Sequence, residues 1–507
     1  MELYELTSKF KEIFNISELS KSPKIIMDIL INKNYEAIDK WLDICPDLSK
    51  DYLQMIFQYY LADRKEKMQD YTPVCLGRTC ANILDVRNAK SCYDMCAGSG
   101  SLTIQVWNFN KDMQFICEEL DDNVIPFLLL NLAMRNVNAT VIKGNILTSE
   151  RFKAYRVSKS VKYSDISEIE LPFRIHTDIC ISNPPYNLKW EIPVFAQLDE
   201  KFSSYGVPKS INANYVFILT ALAVAQKCSL ILPNSIANEE PKIIENMARY
   251  NVIDSIVVNP KSMFEKTDIG TCILTLSKNR RTKAIEMIDC RKTNFIEVGR
   301  EQRGQFGGKS HTDRVYTKIN NEYTDENIEK ILDYISERKT QAGFSRAVYF
   351  DDLQKNGLVI TPSYYIDFEQ KESEHRQYKD IAVDLNKVIR ARNMLKLIVN
   401  NTIAKQLGLD TMLYGNGNDS IAKQIKAISG VELEKEDYIQ LTKNKGEFII
   451  KVNSKDIFPE VAHLILNMWK QNVMTFNNEE NILLAEFRDA LIPDLMSGKI
   501  DVAGIMV

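Results

Sequence analysis

The sequence has no run of 18 apolar residues, so it offers no segment to span a bilayer. Its opening stretch, Met1 to Glu12, is mixed polar and reads as no secretory leader. Histidine is scarce. The four present, His176, His311, His375 and His463, lie far apart and show no ligand-like spacing. Cysteine is present but lacks pattern: Cys92 and Cys96 have no second pair to complete a zinc site. No metal is expected. Cys117, Cys180, Cys228 and Cys272 sit inside apolar runs, where a small hydrophobe suits a buried strand. All ten cysteines are expected to be reduced thiols of a cytoplasmic protein. A basic surplus is also missing. With a net charge of -4, the chain is not expected to grip a long nucleic-acid footprint alone, although local basic patches or a partner could do so.

At 507 residues the chain exceeds one compact core, and two or three domains are expected. Residues 1–66 read as an N-terminal helical domain, from short amphipathic stretches at Ile25 to Leu30, Ala37 to Leu42 and Tyr52 to Leu61. From about residue 90 strands and helices alternate. Strands are expected at Cys92 to Met95, Gln114 to Glu118, Thr140 to Ile142, Asp178 to Ser182, Ser229 to Leu232, Val252 to Val258 and Cys272 to Leu276. Helices fill Leu102 to Trp107, Val124 to Asn136, Ala213 to Gln226 and Pro241 to Met247. The expected fold is α/β: a seven-stranded, mostly parallel sheet covered on both faces, over residues 67–300. Residues 301–370 read as an accessory extension, opening on a glycine-containing loop from Arg300 to Thr312.

Residues 371–410 hold a long helix. Tyr378, Ile381, Leu385, Val388, Leu395 and Val399 make a three-four seam, with Arg392 at the skipped position. Such a seam needs a cover, from its own domain or from another subunit. Residues 411–507 form a C-terminal tail. It has a strand-like run from Glu447 to Val452 and two closing helices, Pro459 to Lys470 and Glu479 to Leu491.

Two motifs carry chemistry, and both follow expected strands, where ligands bind in such sheets. The first is Asp94-Met95-Cys96-Ala97-Gly98-Ser99-Gly100, a tight turn before an apolar helix. Glycines there let the backbone approach a ligand. The spacing is neither the dinucleotide nor the P-loop pattern, and no Lys-Ser/Thr pair follows, which argues against ATP hydrolysis. A cofactor with an adenosine and an amino-acid tail, S-adenosyl-L-methionine, fits better. The second strand ends Cys117-Glu118-Glu119-Leu120-Asp121, and a carboxylate at that point can accept both ribose hydroxyls. Glu119 is the first choice and Glu118 the fallback. After the third strand, the Asn145 amide could read the adenine of the cofactor.

The second motif is Asn183-Pro184-Pro185-Tyr186. An exocyclic adenine amine is a poor nucleophile because its lone pair is delocalised into the ring. The Asn183 side-chain oxygen and the Pro184 carbonyl could accept its two hydrogens and stabilise the positive charge that develops on nitrogen. Proline presets the carbonyl direction. Tyr186 offers a flat face for a flipped base.

On these residues the chain resembles the modification subunit, a DNA adenine-N6 methyltransferase, of type I restriction-modification systems. Asp94 to Gly100 is similar to the family's cofactor loop, with Met95 where Pro and Ala97 where Cys are commoner. Glu119 matches the ribose acid, and Asn145 stands where Asp is common. Lys67-Met68-Gln69-Asp70-Tyr71-Thr72-Pro73 resembles the segment that precedes the sheet, so Tyr71, Thr72 and Pro73 are implied to enclose the methionine part of the cofactor. Asn183 to Tyr186 matches the catalytic tetrapeptide, and Ile231 to Asn234 and Gly270 to Leu274 resemble later family segments.

The stretch Leu484 to Ile500 resembles the end of the family's DNA-specificity subunit. The resemblance implies double-stranded DNA as substrate and a specificity subunit as partner, with a second modification subunit and a restriction/translocase subunit beside them. Two other readings stand. The same tetrapeptide chemistry serves enzymes that methylate an RNA base or a protein glutamine amide, and a non-catalytic assembly subunit could retain the fold.

Overall fold

The computed structural model describes residues 3–61, 72–172, 174–194, 196–264, 269–292, 296–303, 315–367, 376–398, 438–444, 447–453 and 475–490. The chain divides into two compact units, Met1–Glu369 and Gln370–Val507.

In the first unit the strands are β1 (Ser91–Met95), β2 (Gln114–Glu119), β3 (Asn138–Asn145), β4 (Glu150–Ser158), β5 (Asp165–Ile169), β6 (Thr177–Ser182), β7 (Ala225–Pro233), β8 (Ile253–Val258), β9 (Thr271–Ser277), β10 (Ile285–Asp289), β11 (Ile296–Arg303), β12 (Val315–Glu322) and β13 (Ser345–Val348). All seven strands expected from sequence are present, in the order β3-β2-β1-β6-β7-β9-β8. The sheet itself is larger and mixed, which corrects the expectation of seven mostly parallel strands. Among the described residues it has eleven, ordered β13-β10-β8-β9-β7-β6-β1-β2-β3-β4-β5. Five neighbouring pairs are parallel, β1 with β2 and β6, β2 with β3, β6 with β7, and β8 with β10. The other five are antiparallel.

The four additional strands lie at the margins, and their sequences explain why they escape a hydrophobic reading. The strand β4 has charge at Glu150, Arg151, Lys153 and Arg156. In β10, Glu286 and Asp289 interrupt the apolar pattern, yet every residue of the strand is buried. The loop expected from Arg300 to Thr312 begins as strand: β11 pairs antiparallel with β12. Residues 304–314 lie outside the described residues.

Side chains alternate between the sheet's two faces. One face buries Phe115, Cys117, Ile179, Ile181 and Ile231 against the helices Val74–Leu84, Ser101–Phe109 and Ile125–Met134. The other buries Met95, Cys180, Leu230 and Leu274 against Asn214–Val224 and Pro241–Arg249. The N-terminal helices Leu3–Ile13, Ser22–Ile31, Glu36–Ile44 and Tyr52–Tyr60 pack on the first face. Phe10 and Phe57 sit 6.0 Å and 5.3 Å, ring to ring, from Phe127. No described helix is long and apolar enough to cross a membrane.

In the second unit the helix Tyr378–Ile398 packs on a helix over residues 475–490. Ile381, Val388 and Leu483 are buried between them, with Leu385, Phe476 and Phe487 alongside. The seam is thus covered, at least in part, by this chain's own closing helix, and Arg392 pairs with Glu480 across it. The side chain of Leu395, residue 399, the expected helix from Pro459 to Lys470 and the end of the tail lie outside the described residues. The strand-like run is β15 (Glu447–Asn453), antiparallel to β14 (Tyr438–Asn444).

Candidate active site

A cleft of ≈ 230 Å³ opens at the carboxyl ends of β1, β2, β3 and β6. Both sequence motifs reach it. Its wall includes Gly98 of the glycine turn, Glu118 and Glu119 from the end of β2, Asn145 from β3, and Asn183 to Tyr186 after β6. Thr72 contributes from the segment before the first sheet-packing helix.

The turn is built by backbone conformation. Cys96, Gly98 and Gly100 have φ of 66°, 56° and 93°, the left-handed region that glycine adopts at least cost. A Cβ on Gly100 would also stand 2.8 Å from Leu128 Cδ1. Asp94 and Ser99 brace the turn and, like Gly100 and Pro73, are not part of the cleft wall. Asp94 is fully buried and accepts from the Thr103 hydroxyl at 2.6 Å and the Thr103 N–H at 3.1 Å, which ties β1 to the following helix. Burial pushes its carboxyl up to about 7. Ser99 donates to Asp51 Oδ2 at 2.6 Å. Asn131 donates to Asp51 Oδ1 and to the Ser99 carbonyl, both at 2.9 Å. The N-terminal helices therefore clamp the glycine turn through a buried polar network, a role that no local signal around Asp51 disclosed. Tyr71 lies outside the described residues.

The two candidate ribose acids have different surroundings. Glu119 accepts from the backbone N–H of Gly98 at 2.8 Å, of Leu120 at 2.8 Å and of Asp121 at 2.9 Å. Glu118 is buried, accepts from the Tyr93 hydroxyl at 2.9 Å, and has Arg151 Nε at 3.5 Å. Burial raises both carboxyls. Glu118 also lies against Gly144, where a Cβ would crowd its carboxylate and force the Glu118 side chain to shift. Asn145 accepts from the Leu147 N–H at 3.0 Å, which holds the third loop closed.

In the tetrapeptide, Asn183 donates its side-chain amide to Thr72 Oγ1 at 2.9 Å and accepts from the Tyr186 hydroxyl at 2.6 Å. In this arrangement the amide nitrogen faces Thr72 and the amide oxygen faces the Tyr186 hydroxyl. Tyr186 is mostly buried, and its ring meets Phe264 edge-on at 6.2 Å. Leu188 and Phe217 complete the apolar part of the wall. Sequence reading missed both. Phe217 belongs to the helix Asn214–Val224, which is apolar all round, so no periodicity marks the side that meets the cleft.

The N-6 DNA methylase family profile matches residues 46–374, and the chain belongs to this family. S-adenosyl-L-methionine is the family's cofactor, and the cleft fits it: two carboxylates, a close backbone approach at Gly98 and an apolar wall converge there. The chain is 24% identical over 392 residues to the Type I restriction enzyme MpnII methylase subunit of Mycoplasma pneumoniae, covering 72% of this chain and 66% of that protein. It is 24% identical over 417 residues to the Type I restriction enzyme MjaVII methylase subunit of Methanocaldococcus jannaschii, covering 75% and 67%. The chain thus spans about two thirds of the length of these curated relatives. Among solved structures, the type I restriction-modification system methyltransferase subunit from Streptococcus thermophilus shares the fold, with a TM-score of 0.50 and 21% identity over 72% of this chain and 77% of that one.

Proposed function

We propose that this chain is the modification subunit of a type I restriction-modification complex and methylates the N6 amine of adenine at a specific sequence in double-stranded DNA. The observation that carries the reading is a single cleft walled by both the glycine turn and Asn183 to Tyr186. S-adenosyl-L-methionine supplies an electrophilic methyl group when bound. Gly98, Glu119 or Glu118, Asn145 and Thr72 are the residues that would hold it. The Asn183 oxygen and the Pro184 carbonyl accept the amine hydrogens and stabilise the positive nitrogen formed in the transition state. A carbonyl oxygen has two lone pairs, so the contact with Tyr186 does not exclude a second donor. The proton leaves after the methyl arrives, and no strong base is required.

Sequence readout belongs to a specificity subunit, because the chain's net charge is -4 and no target-reading module is visible in its sequence. The second unit is the candidate docking element: beside its small buried seam it leaves Val383 and Ile482 exposed. A second modification subunit and a restriction/translocase subunit complete the proposed assembly, and the compartment is the cytoplasm.

The test incubates the chain, with its specificity subunit, with labelled cofactor and a panel of DNA, RNA and protein. Digestion of the DNA to nucleosides should yield labelled N6-methyladenine. Label confined to RNA or to glutamine would overturn the reading, as would a chain that binds no cofactor.

A further inference from the structure

Between the tetrapeptide and the helix Asn214–Val224 the chain makes an excursion over residues 187–212, described except at 195. Both of its ends sit at the cleft. Leu188, at its start, lies in the cleft wall, and Phe217 lies there just after its end. The ends are zipped together: Lys189 and Asn212 form an antiparallel bridge, and Trp190 N–H donates to the Ile211 carbonyl at 2.8 Å. The middle is anchored too. Lys201 Nζ donates to Ser149 Oγ at 2.9 Å, just beyond Leu147 of the cleft wall, and the buried rings of Trp190 and Phe202 lie 6.0 Å apart.

On this anchored base the excursion exposes four large apolar side chains. Ile192 is 52% exposed, Val194 91%, Leu198 79% and Ile211 73%. Its exposed charges offset one another: Lys189 and Lys209 stand against Glu191 and Glu200. A segment that gripped phosphates would carry a basic surplus. This one offers an apolar surface without one, beside the site that must receive a base drawn from a stacked duplex.

Resting on the reading of the cleft as a DNA adenine site, we infer that this excursion is a wedge. Val194 and Leu198, with Ile192 and Ile211 beside them, pack against the base stack where the target adenine leaves it. Apolar side chains are suited to that role because they replace lost stacking contacts without needing hydrogen-bond partners. The wedge stabilises the extruded state and takes no part in the chemistry.

The test uses the complex with its specificity subunit and the double variant Val194→Ser/Leu198→Ser. Both side chains are exposed, so folding and cofactor affinity should be unchanged. Two duplexes are compared, one with the target adenine opposite thymine and one with it opposite an abasic position, where extrusion costs less. On the paired duplex the variant should methylate about tenfold or more slowly than wild type, and on the abasic duplex within about twofold of it, because the wedge matters only while extrusion is costly. A fluorescent purine at the target should brighten less in the variant complex.

Equal loss on both duplexes, or no loss on the paired one, would overturn the wedge. So would failure of the variant to join the specificity subunit, which would make the surface a protein contact. A wild-type complex that methylates neither duplex would instead overturn the DNA reading itself.

Discussion

Asn183 donates its side-chain amide to the hydroxyl of Thr72 at 2.9 Å, across 111 residues of chain. The segment before the sheet thereby orients the one side chain proposed to accept the reacting amine. With the amide nitrogen held by Thr72, the oxygen is the end that remains for an amine donor and the Tyr186 hydroxyl.

Two substitutions should separate chemistry from positioning. Asn183→Ala removes the acceptor and should cost about 3 kcal/mol in activation free energy, or roughly a hundredfold in turnover, while cofactor affinity stays within a few-fold. Thr72→Val removes the acceptor for the amide and should cost about tenfold in turnover at saturating cofactor, whereas Thr72→Ser should recover most of it; a contribution of Thr72 to holding the cofactor would show separately as weaker cofactor binding. Single-turnover methylation by the complex, with calorimetric cofactor titration beside it, measures both. Near-normal turnover in Asn183→Ala would remove it from the mechanism.

The paired acids at the end of β2 call for a comparison. Glu119→Ala should weaken S-adenosyl-L-methionine binding by about tenfold or more, since it removes a charged acceptor and frees three backbone N–H groups. Glu118→Ala should act mainly on stability, because its carboxylate is buried against Tyr93 and Arg151. Calorimetry and thermal melting on the same preparations would reveal the reverse assignment as a binding loss in Glu118→Ala alone.

A pH dependence should come from the far side of the sheet. Glu286 is fully buried, neither carboxyl oxygen has a hydrogen-bond partner, and its neighbours across the strands, Ser255 and then Thr275, also hold unpartnered hydroxyls. Burial pushes its carboxyl up to about 8, against the opposing pull of Arg338 and with Asp254 adding to the rise. Because the folded value lies above the unfolded one, the folded state binds the extra proton between them. Stability from this group is therefore present at low pH and falls as pH rises from about 4.5 to about 8. Glu286→Gln should match wild type near the lower limit and exceed it by ~1–3 kcal/mol near the upper one. Denaturant midpoints measured across that range test this, and a variant with an unchanged pH slope would show that Glu286 is ionised in the fold.

Assembly should depend on the exposed side of the second unit and not on its seam. Leu385 packs beside Ile381 and Val388 within this chain, so Leu385→Asp should destabilise the helix pair itself, by ~2 kcal/mol or more. Val383 and Ile482 are 53% and 68% exposed, so Val383→Asp/Ile482→Asp should keep its fold and cofactor affinity yet elute apart from the specificity subunit. Undiminished co-elution would place the docking surface elsewhere.

Much of the catalytic half was legible without coordinates, for a local reason. Strands buried on both faces must be apolar runs, and a close backbone approach to a ligand needs glycine, so β1, β2, β6 and the turn at Gly98 announce themselves over a few residues. The Asn183 to Tyr186 loop is likewise a contiguous signal. The sheet's margins were not legible, because β4 alternates charge with apolar residues and β10 buries two acids, and only pairing with a neighbouring strand makes either a strand.

Contacts between distant segments were also beyond the sequence: Asp51 on Ser99, Thr72 on Asn183, and the helix over residues 475–490 covering the seam at Ile381 and Val388. A local pattern states that a side chain will be buried or bonded. Its partner is chosen by the packing of the whole chain, where burying a polar group is tolerable only if another segment brings the matching donor or acceptor.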